Sequence, residues 1–433
     1  MTERGDVHVL AIADSDSYLK WAAGLLDGLP AGWSGELAVV RTPIAPSASQ
    51  MRAAVQGTRV QESPPQVLSA HALRRSLRRN RPDAVVLACT GPVVDVLVNS
   101  VLGDLRPRPV FVSGLPGISV PATQKAWLYR GQVDLFVVHS THEVADFRDV
   151  GAEVGATGSV ALATLPFLSG SPAPGADGSG PAPTDVAREG ARATGDPLPG
   201  TAVTGQRNRV VFATQAKVPV ERDERVAILR ALTALAANRP ELDVVVKLRA
   251  RAHEQQTHRE HHHYETLWQE LVAAGEVEAG VVTFADGSMR DHLAHAVGFV
   301  TVSSTAALEA ITHEVPLLVL SDFGVSAEMI NLVFEDSGTL GTLDDLRHGR
   351  FNHPSPQWCA ANYFHSPAAN DWAECLAKLV EQRRTGALPD RPALLNAPAD
   401  VAARRRARLR LEVPPSTLRT IGRMRKRVRK ILS

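Results

Sequence analysis

A chain of 433 residues, 44% hydrophobic and 21% charged, has room for two or three domains with sizeable cores. It contains no run of about 18 apolar residues, so no membrane-spanning helix is expected, and its polar first residues do not read as a secretory leader. Three cysteines, Cys89, Cys359 and Cys375, form no CxxC pair, which excludes a zinc ribbon and fits a reducing cytoplasm.

From the start, short apolar runs alternate with helical stretches. Residues 7–13, 36–40, 84–89, 109–112 and 135–138 read as buried strands, and 15–29, 66–80, 91–103 and 140–149 as helices. Strict alternation implies a parallel sheet covered on both faces, so residues 1–168 are expected to form one doubly wound, Rossmann-like domain. Residues 169–206 are almost wholly Gly, Pro, Ala, Ser and other small or polar residues, a composition expected of a disordered linker. The alternation then resumes. Strands are expected at 210–213, 244–248, 281–284, 299–302 and 316–320, with helices near 221–238, 262–275, 288–296, 304–313 and 325–334. With a last helix at 371–384, residues 207–385 make a second doubly wound domain, and the two domains are expected to face a cleft at the carboxyl ends of their sheets.

The segment 298–320 carries the strongest functional signal. A buried strand ends, Ser303, Ser304 and Thr305 follow, and a helix begins at once. Hydroxyls and unpaired backbone N–H groups at a positive helix end suit a phosphate, although a hydroxyl residue there is also an ordinary helix cap. Glu309, one to two turns into that helix, can accept from a ribose or sugar hydroxyl.

This strand–Ser-Ser-Thr-Ala-Ala-Leu-Glu-Ala–helix–Val-Pro-Leu-Leu-Val-Leu unit resembles the donor-binding half of GT-B glycosyltransferases. It is most similar to bacterial capsule ulosonate (Kdo-type) and sialic-acid transferases, which use cytidine-nucleotide donors. Two more segments fit the resemblance: Val210-Val-Phe-Ala-Thr-Gln215 with their opening donor-domain strand, and Val244-Val-Val-Lys-Leu-Arg249 with their Lys-x-His-Pro segment. Arg249-Ala250 stands in place of the His-Pro pair. The Asp14-Ser-Asp-Ser-Tyr-Leu-Lys-Trp21 stretch also resembles the opening of an actinobacterial glycosyltransferase group. The resemblance implies a GT-B fold and a donor phosphate held by the Ser-Ser pair, with Gln215 on the donor side. For a cytidine-monophosphate ulosonate donor it implies inversion.

The remaining candidates come from position. Lys247 and Arg249 end a valine run and, two residues apart, share one side of the strand, where two cations can offset the charge of a leaving nucleotide. Asp14 and Asp16 follow the first strand, and either carboxylate can serve as the general base for an acceptor hydroxyl or simply cap a helix. His139, ending the strand 135–138, is a rival base, with His142 one turn on. Asp14-Ser-Asp16 spells a DxD pattern, but its place at a helix start argues against a metal role, and no metal or other cofactor is expected. His258, His261, His262 and His263 could present two imidazoles on one helix face, yet their strongly polar surroundings favour a solvated segment.

Residues 404–433 hold twelve Lys or Arg against one acid, Glu412, leaving 35 bases and 45 acids in the rest. An acidic body excludes a general nucleic-acid binder. Within the tail, 386–433, Leu418, Ile421, Met424, Val428 and Ile431 recur at helical spacing among the bases, the pattern of an amphipathic helix on an anionic membrane. The sequence therefore reads as a cytoplasmic, peripheral, metal-independent glycosyltransferase. It would move a sugar from a nucleotide-sugar donor to a cell-envelope polysaccharide or lipid-linked acceptor. The competing readings are a sugar-nucleotide epimerase of the same architecture, which would leave the tail unexplained, and a non-catalytic membrane-associated scaffold.

Overall fold

The structure, a computed structural model, describes residues 7–168, 207–249 and 260–413. The chain divides into two compact units, Met1–Ser169 with Ser366–Ser433, and Gly170–His365. The expected linker at 169–206, His258 and the helical pattern at 416–433 lie outside the described residues.

In the first unit, β1 (His8–Ala13), β2 (Ser34–Val40), β3 (Gln66–Leu68), β4 (Ala84–Ala88), β5 (Val110–Gly114), β6 (Leu135–Val138) and β7 (Ser159–Leu162) form one parallel sheet in the order β3-β2-β1-β4-β5-β6-β7. The helices α1 (Asp16–Asp27), α2 (Ala48–Val55), α3 (Ala70–Asn80), α4 (Gly91–Val96, continued by a π-helical turn over Leu97–Leu102), α5 (Gln124–Leu128) and α6 (Thr141–Glu153) fill the connections. The strands read as unbroken apolar runs because both faces are covered. Alternate residues of β1 go to opposite cores: Val9, Ala11 and Ala13 pack with α1, while Leu10 and Ile12 pack with α3 and α4.

The second unit repeats the plan. Its strands β8 (Arg209–Ala213), β9 (Asp243–Lys247), β10 (Thr283–Ala285), β11 (Ala296–Thr301), β12 (Leu317–Leu320) and β13 (Leu340–Gly341) run in the order β10-β9-β8-β11-β12-β13. They are joined by α7 (Arg222–Asn238), α8 (Tyr264–Ala273), α9 (Met289–Leu293), α10 (Ala306–Thr312), α11 (Leu343–His348) and α12 (Pro356–Ala361). The expected α/β class with two doubly wound parallel sheets is therefore observed.

Several elements differ from expectation, each for a local reason. Residues 66–68 form the edge strand β3 rather than helix, because Ser69 caps α3 by accepting the Ala72 N–H. The helix expected at 325–334 is a loop with a single 3₁₀ turn, Leu332–Phe334. There Asn331, fully buried, accepts the Ser326 N–H and donates to the Gly324 carbonyl, closing the segment on itself. Strand β7 and helices α2, α5, α11 and α12 are short, and the periodicity did not reveal them.

The C-terminal part departs furthest. The helix at 371–384, expected to end the second domain, is α13 (Trp372–Arg384), and it belongs to the first unit. Trp372, Leu376, Leu379 and Val380 are buried in the core that contains β1 and α1. The expected basic tail begins as a packed helix, α14 (Pro398–Glu412). Its Leu411 is buried with α3 and α4, and Arg404 makes a two-armed contact to Asp95 at 2.7 and 2.9 Å.

Candidate functional site

Open parallel sheets bind ligands where the strand order reverses, outside the carboxyl ends of the strands. In the first unit that point lies between β1 and β4. Asp14 follows β1 and Thr90 follows β4, and they bridge the gap: Asp14 Oδ2 accepts the Thr90 N–H at 2.8 Å and its hydroxyl at 2.5 Å. Asp14 is fully buried and its Oδ1 has no hydrogen bond. Burial pushes its carboxyl above the usual range, against the pull of Thr90, the nearby Ser15 hydroxyl and the Arg130 charge. Asp16, the first residue of α1, is only half-buried and holds Lys20 at 2.8 Å through Oδ2. The two carboxylates differ: Asp14 ties two strands together, and Asp16, whose Oδ1 is also buried without a partner, is reachable from solvent on the side of its Lys20 contact.

His139 is brought to the same edge with both ring nitrogens engaged. Its Nδ1 lies 2.7 Å from the Ala163 carbonyl and its Nε2 accepts the Trp21 indole N–H at 2.6 Å. A neutral ring with a proton on Nδ1 satisfies both contacts and leaves no lone pair for a substrate proton. Its backbone N–H donates to Glu143, whose other oxygen accepts the Ser119 N–H at 2.8 Å. His142 is exposed and pairs with Asp146.

Beneath this edge lies Arg130, which sequence reasoning missed. Its buried guanidinium donates to the Ser113 hydroxyl, the Ala126 and Cys89 carbonyls and the Tyr18 hydroxyl at 3.0–3.2 Å. Burial raises the Tyr18 hydroxyl and pushes the Cys89 thiol well up, so neither is ionised near neutrality. Thr90 was legible in principle, since it follows β4 as Asp14 follows β1. Nothing in the sequence distinguishes Arg130 from a surface arginine.

In the second unit the reversal falls between β8 and β11, and the Thr301 hydroxyl donates to the Ala213 carbonyl across it. Gln215 follows β8 and is half-buried; Ser303, Ser304 and Thr305 follow β11. The structure divides the three hydroxyls. Ser303 is buried and donates to the Ile330 carbonyl, Ser304 accepts the Ala306 N–H, and the Thr305 hydroxyl makes no capping bond. Ser303 therefore shapes the bend, while Ser304 and Thr305 remain partly exposed beside the start of α10. Glu309 lies in the first turn of α10 and is half-buried.

Lys247 and Arg249 also separate. Lys247, the last residue of β9, is largely buried and donates to the Leu248 carbonyl at 2.7 Å, whereas Arg249 is exposed. The loop after β8 is held by Arg225, another residue the sequence did not flag. Its buried guanidinium donates to the carbonyls of Gln215, Ala216, Pro219 and His262 and pairs with Glu260. His261, His262 and His263 precede α8, and no group of three His, Cys, Asp or Glu among the described residues is placed to hold a metal.

Two doubly wound parallel α/β units, each with polar groups gathered at its strand-order reversal, define the class of the protein. Residues 9–379 match the family described as Putative glycosyltransferase (DUF6716), and the chain belongs to that glycosyltransferase family. No curated protein matches it. Among solved structures, the S. aureus MnaA–UDP co-structure is similar at TM-score 0.51 and 11% identity, over 89% of this chain and 99% of that one. Methanocaldococcus jannaschii UDP-GlcNAc 2-epimerase, in complex with UDP-GlcNAc and UDP, is similar at TM-score 0.50 and 9% identity, over 88% and 100%. At such identities the likeness shows the fold. No described helix is long and apolar enough to cross a membrane.

Proposed function

We propose that this protein transfers a sugar from a pyrimidine-nucleotide donor to a cell-envelope polysaccharide or lipid-linked acceptor on the cytoplasmic membrane face. The family match, which runs through the strands of both units, carries the reading. The donor binds at the reversal point of the second sheet. The Ser304 and Thr305 hydroxyls receive its phosphate beside the positive end of α10, Arg249 offsets the charge that develops on the leaving nucleotide, and Glu309 and Gln215 meet sugar or ribose hydroxyls. Ser303 positions this bend from behind. A pyrimidine base is supported from two sides: the donor segments resemble cytidine-nucleotide transferases, and the two solved structures named above hold UDP. Catalysis rests on positioning and fixed charge, with no metal required.

Asp16 is the general base for the acceptor hydroxyl, because a base must be reachable by its substrate, and Asp14 is a positioning residue that holds the turn. The seven Lys or Arg of 414–433, with no acid among them, make the tail a contact for an anionic membrane.

A thermal-shift panel of cytidine, uridine, guanosine and adenosine nucleotides tests the donor. A ligand at a hundredfold excess over its Kd stabilises by about 2.7 kcal/mol, so a pyrimidine nucleotide should raise Tm clearly and purine nucleotides should not. The joint change Ser304→Ala and Thr305→Ala should abolish that shift with the unliganded Tm nearly unchanged. Asp16→Asn should keep the shift and lose roughly 100-fold or more in transfer rate. Absence of stabilisation by every pyrimidine nucleotide would reject the donor site.

A further inference from the structure

Two arginine-rich helices more than 300 residues apart in sequence are packed side by side in the first unit. Helix α3 carries Arg74, Arg75, Arg78 and Arg79, with Arg81 just beyond it, and no acid. Helix α14 carries Arg404, Arg405, Arg406, Arg408 and Arg410. Both helices bury their apolar sides in one core, α3 through Ala70, Leu73 and Leu77 and α14 through Leu411. That orientation leaves Arg75, Arg78, Arg79, Arg81, Arg405, Arg406 and Arg410 exposed. The acids nearby are already engaged: Asp104 pairs with Arg74 and Arg78, Asp95 with Arg404, and Glu412 with Arg408. At the end of α3, Arg78, Arg81 and Arg106 line a cleft of about 330 Å³ with Asp104, Leu77 and Leu105. Leu409, 56% exposed, stands among the arginines of α14.

We propose that the α3–α14 face is a docking surface for an anionic phospholipid bilayer, with the Arg78–Arg81–Arg106 cleft receiving a lipid phosphate. Six exposed guanidiniums on two adjacent helices, with Arg81 just beyond α3, outnumber the acids that pair with them and give a predominantly positive field, and arginine grips phosphate with two parallel hydrogen bonds. The exposed Leu409 suits an interface with lipid, where an apolar side chain enters beside basic residues. The surface deepens the membrane reading above by placing a contact on the folded unit, ahead of residues 414–433.

The full chain is sedimented with vesicles of 30% phosphatidylglycerol in phosphatidylcholine, and with pure phosphatidylcholine. The wild type should bind the anionic vesicles selectively and be released by salt. The face variant Arg75→Glu, Arg79→Glu, Arg405→Glu, Arg406→Glu should lose roughly 100-fold in partition coefficient, with nucleotide-induced stabilisation unchanged. Lysine at the same four positions should retain binding within about threefold. If the quadruple reversal does not fold, Arg79→Glu and Arg406→Glu singly should each cost several-fold. A tail variant, Arg425→Gln, Lys426→Gln, Arg427→Gln, keeps the face intact and should retain selective binding at reduced strength. The proposal is overturned if the glutamate variants pellet like wild type, or if the tail variant loses all binding, which would assign the membrane contact to the tail alone. Selective loss of single-stranded RNA binding with vesicle binding intact would also overturn it.

Discussion

The Nε2 lone pair of His139 is taken up by the Trp21 indole, and this single bond turns a candidate base into a brace between α1 and the end of β6. Gly114 shows how tight that region is. A Cβ there would lie 2.6 Å from the Trp21 ring and 2.5 Å from the Val137 carbonyl, so only glycine lets β5 pass beneath α1. Asp14 has a measurable consequence at this scale. Its folded-state carboxyl is raised by burial, so the contribution of its protonated form is complete below about pH 4, the ordinary aspartate value, and is lost as pH rises through the raised one. Asn at position 14 does not titrate. The stability of wild type relative to Asp14→Asn should therefore decline as pH is raised from 3 towards 7, read from urea unfolding at a series of pH values. Parallel curves would mean that Asp14 titrates normally in the fold.

Among the elements, the bend after β11 depends on a loop far along the chain. Ile330 adopts a φ of +59°, a costly conformation for a β-branched residue, and its carbonyl accepts the Ser303 hydroxyl. Asn331 holds that loop with two buried hydrogen bonds, one to Ser326 and one to Gly324. Asn331→Ala leaves a buried donor and acceptor unpaired and should cost about 2–3 kcal/mol. Because the same loop fixes Ser303, nucleotide binding should weaken as well. Chemical denaturation and the thermal-shift panel check the two effects, and lost stability with undiminished affinity would separate the loop from the donor site. The helical periodicity of 325–334 predicts the opposite local structure, because the side-chain pattern says nothing of an asparagine that satisfies the backbone of a loop.

For the whole molecule, the first unit is closed by residues that follow the second. Asp371 accepts the Leu162 N–H at the end of β7, Arg383 pairs with Asp83, and Arg108 and Arg391 both hold the fully buried Asp134. Trp372, Leu376, Leu379 and Val380 fill the core beside β1. Each such side chain is worth about 1.5–3 kcal/mol on burial, and together they rival the roughly 5–15 kcal/mol that holds a typical domain. Ending the chain at residue 365 should therefore give an aggregating protein, whereas ending it at 413 should leave Tm nearly unchanged. Circular dichroism melts of the two truncations check this, and a soluble, cooperatively melting product of 1–365 would show the first unit to be complete without the return.

The sequence by itself determined two doubly wound sheets, most of their strands and the polar turns after β1, β8 and β11. Those features depend on local apolar runs and on residue types whose effect is felt within a few positions. Only the tertiary structure decided which polar groups remain available. Ser303, Lys247 and His139 look in sequence like their functional neighbours, but each is engaged by a backbone or ring group remote from it or hidden by burial. It also decided that α13 and α14 return to the first unit, where α14 packs beside the arginine-rich α3. Packing of side chains across long sequence separations carries no periodicity, and no pattern along the chain can encode it.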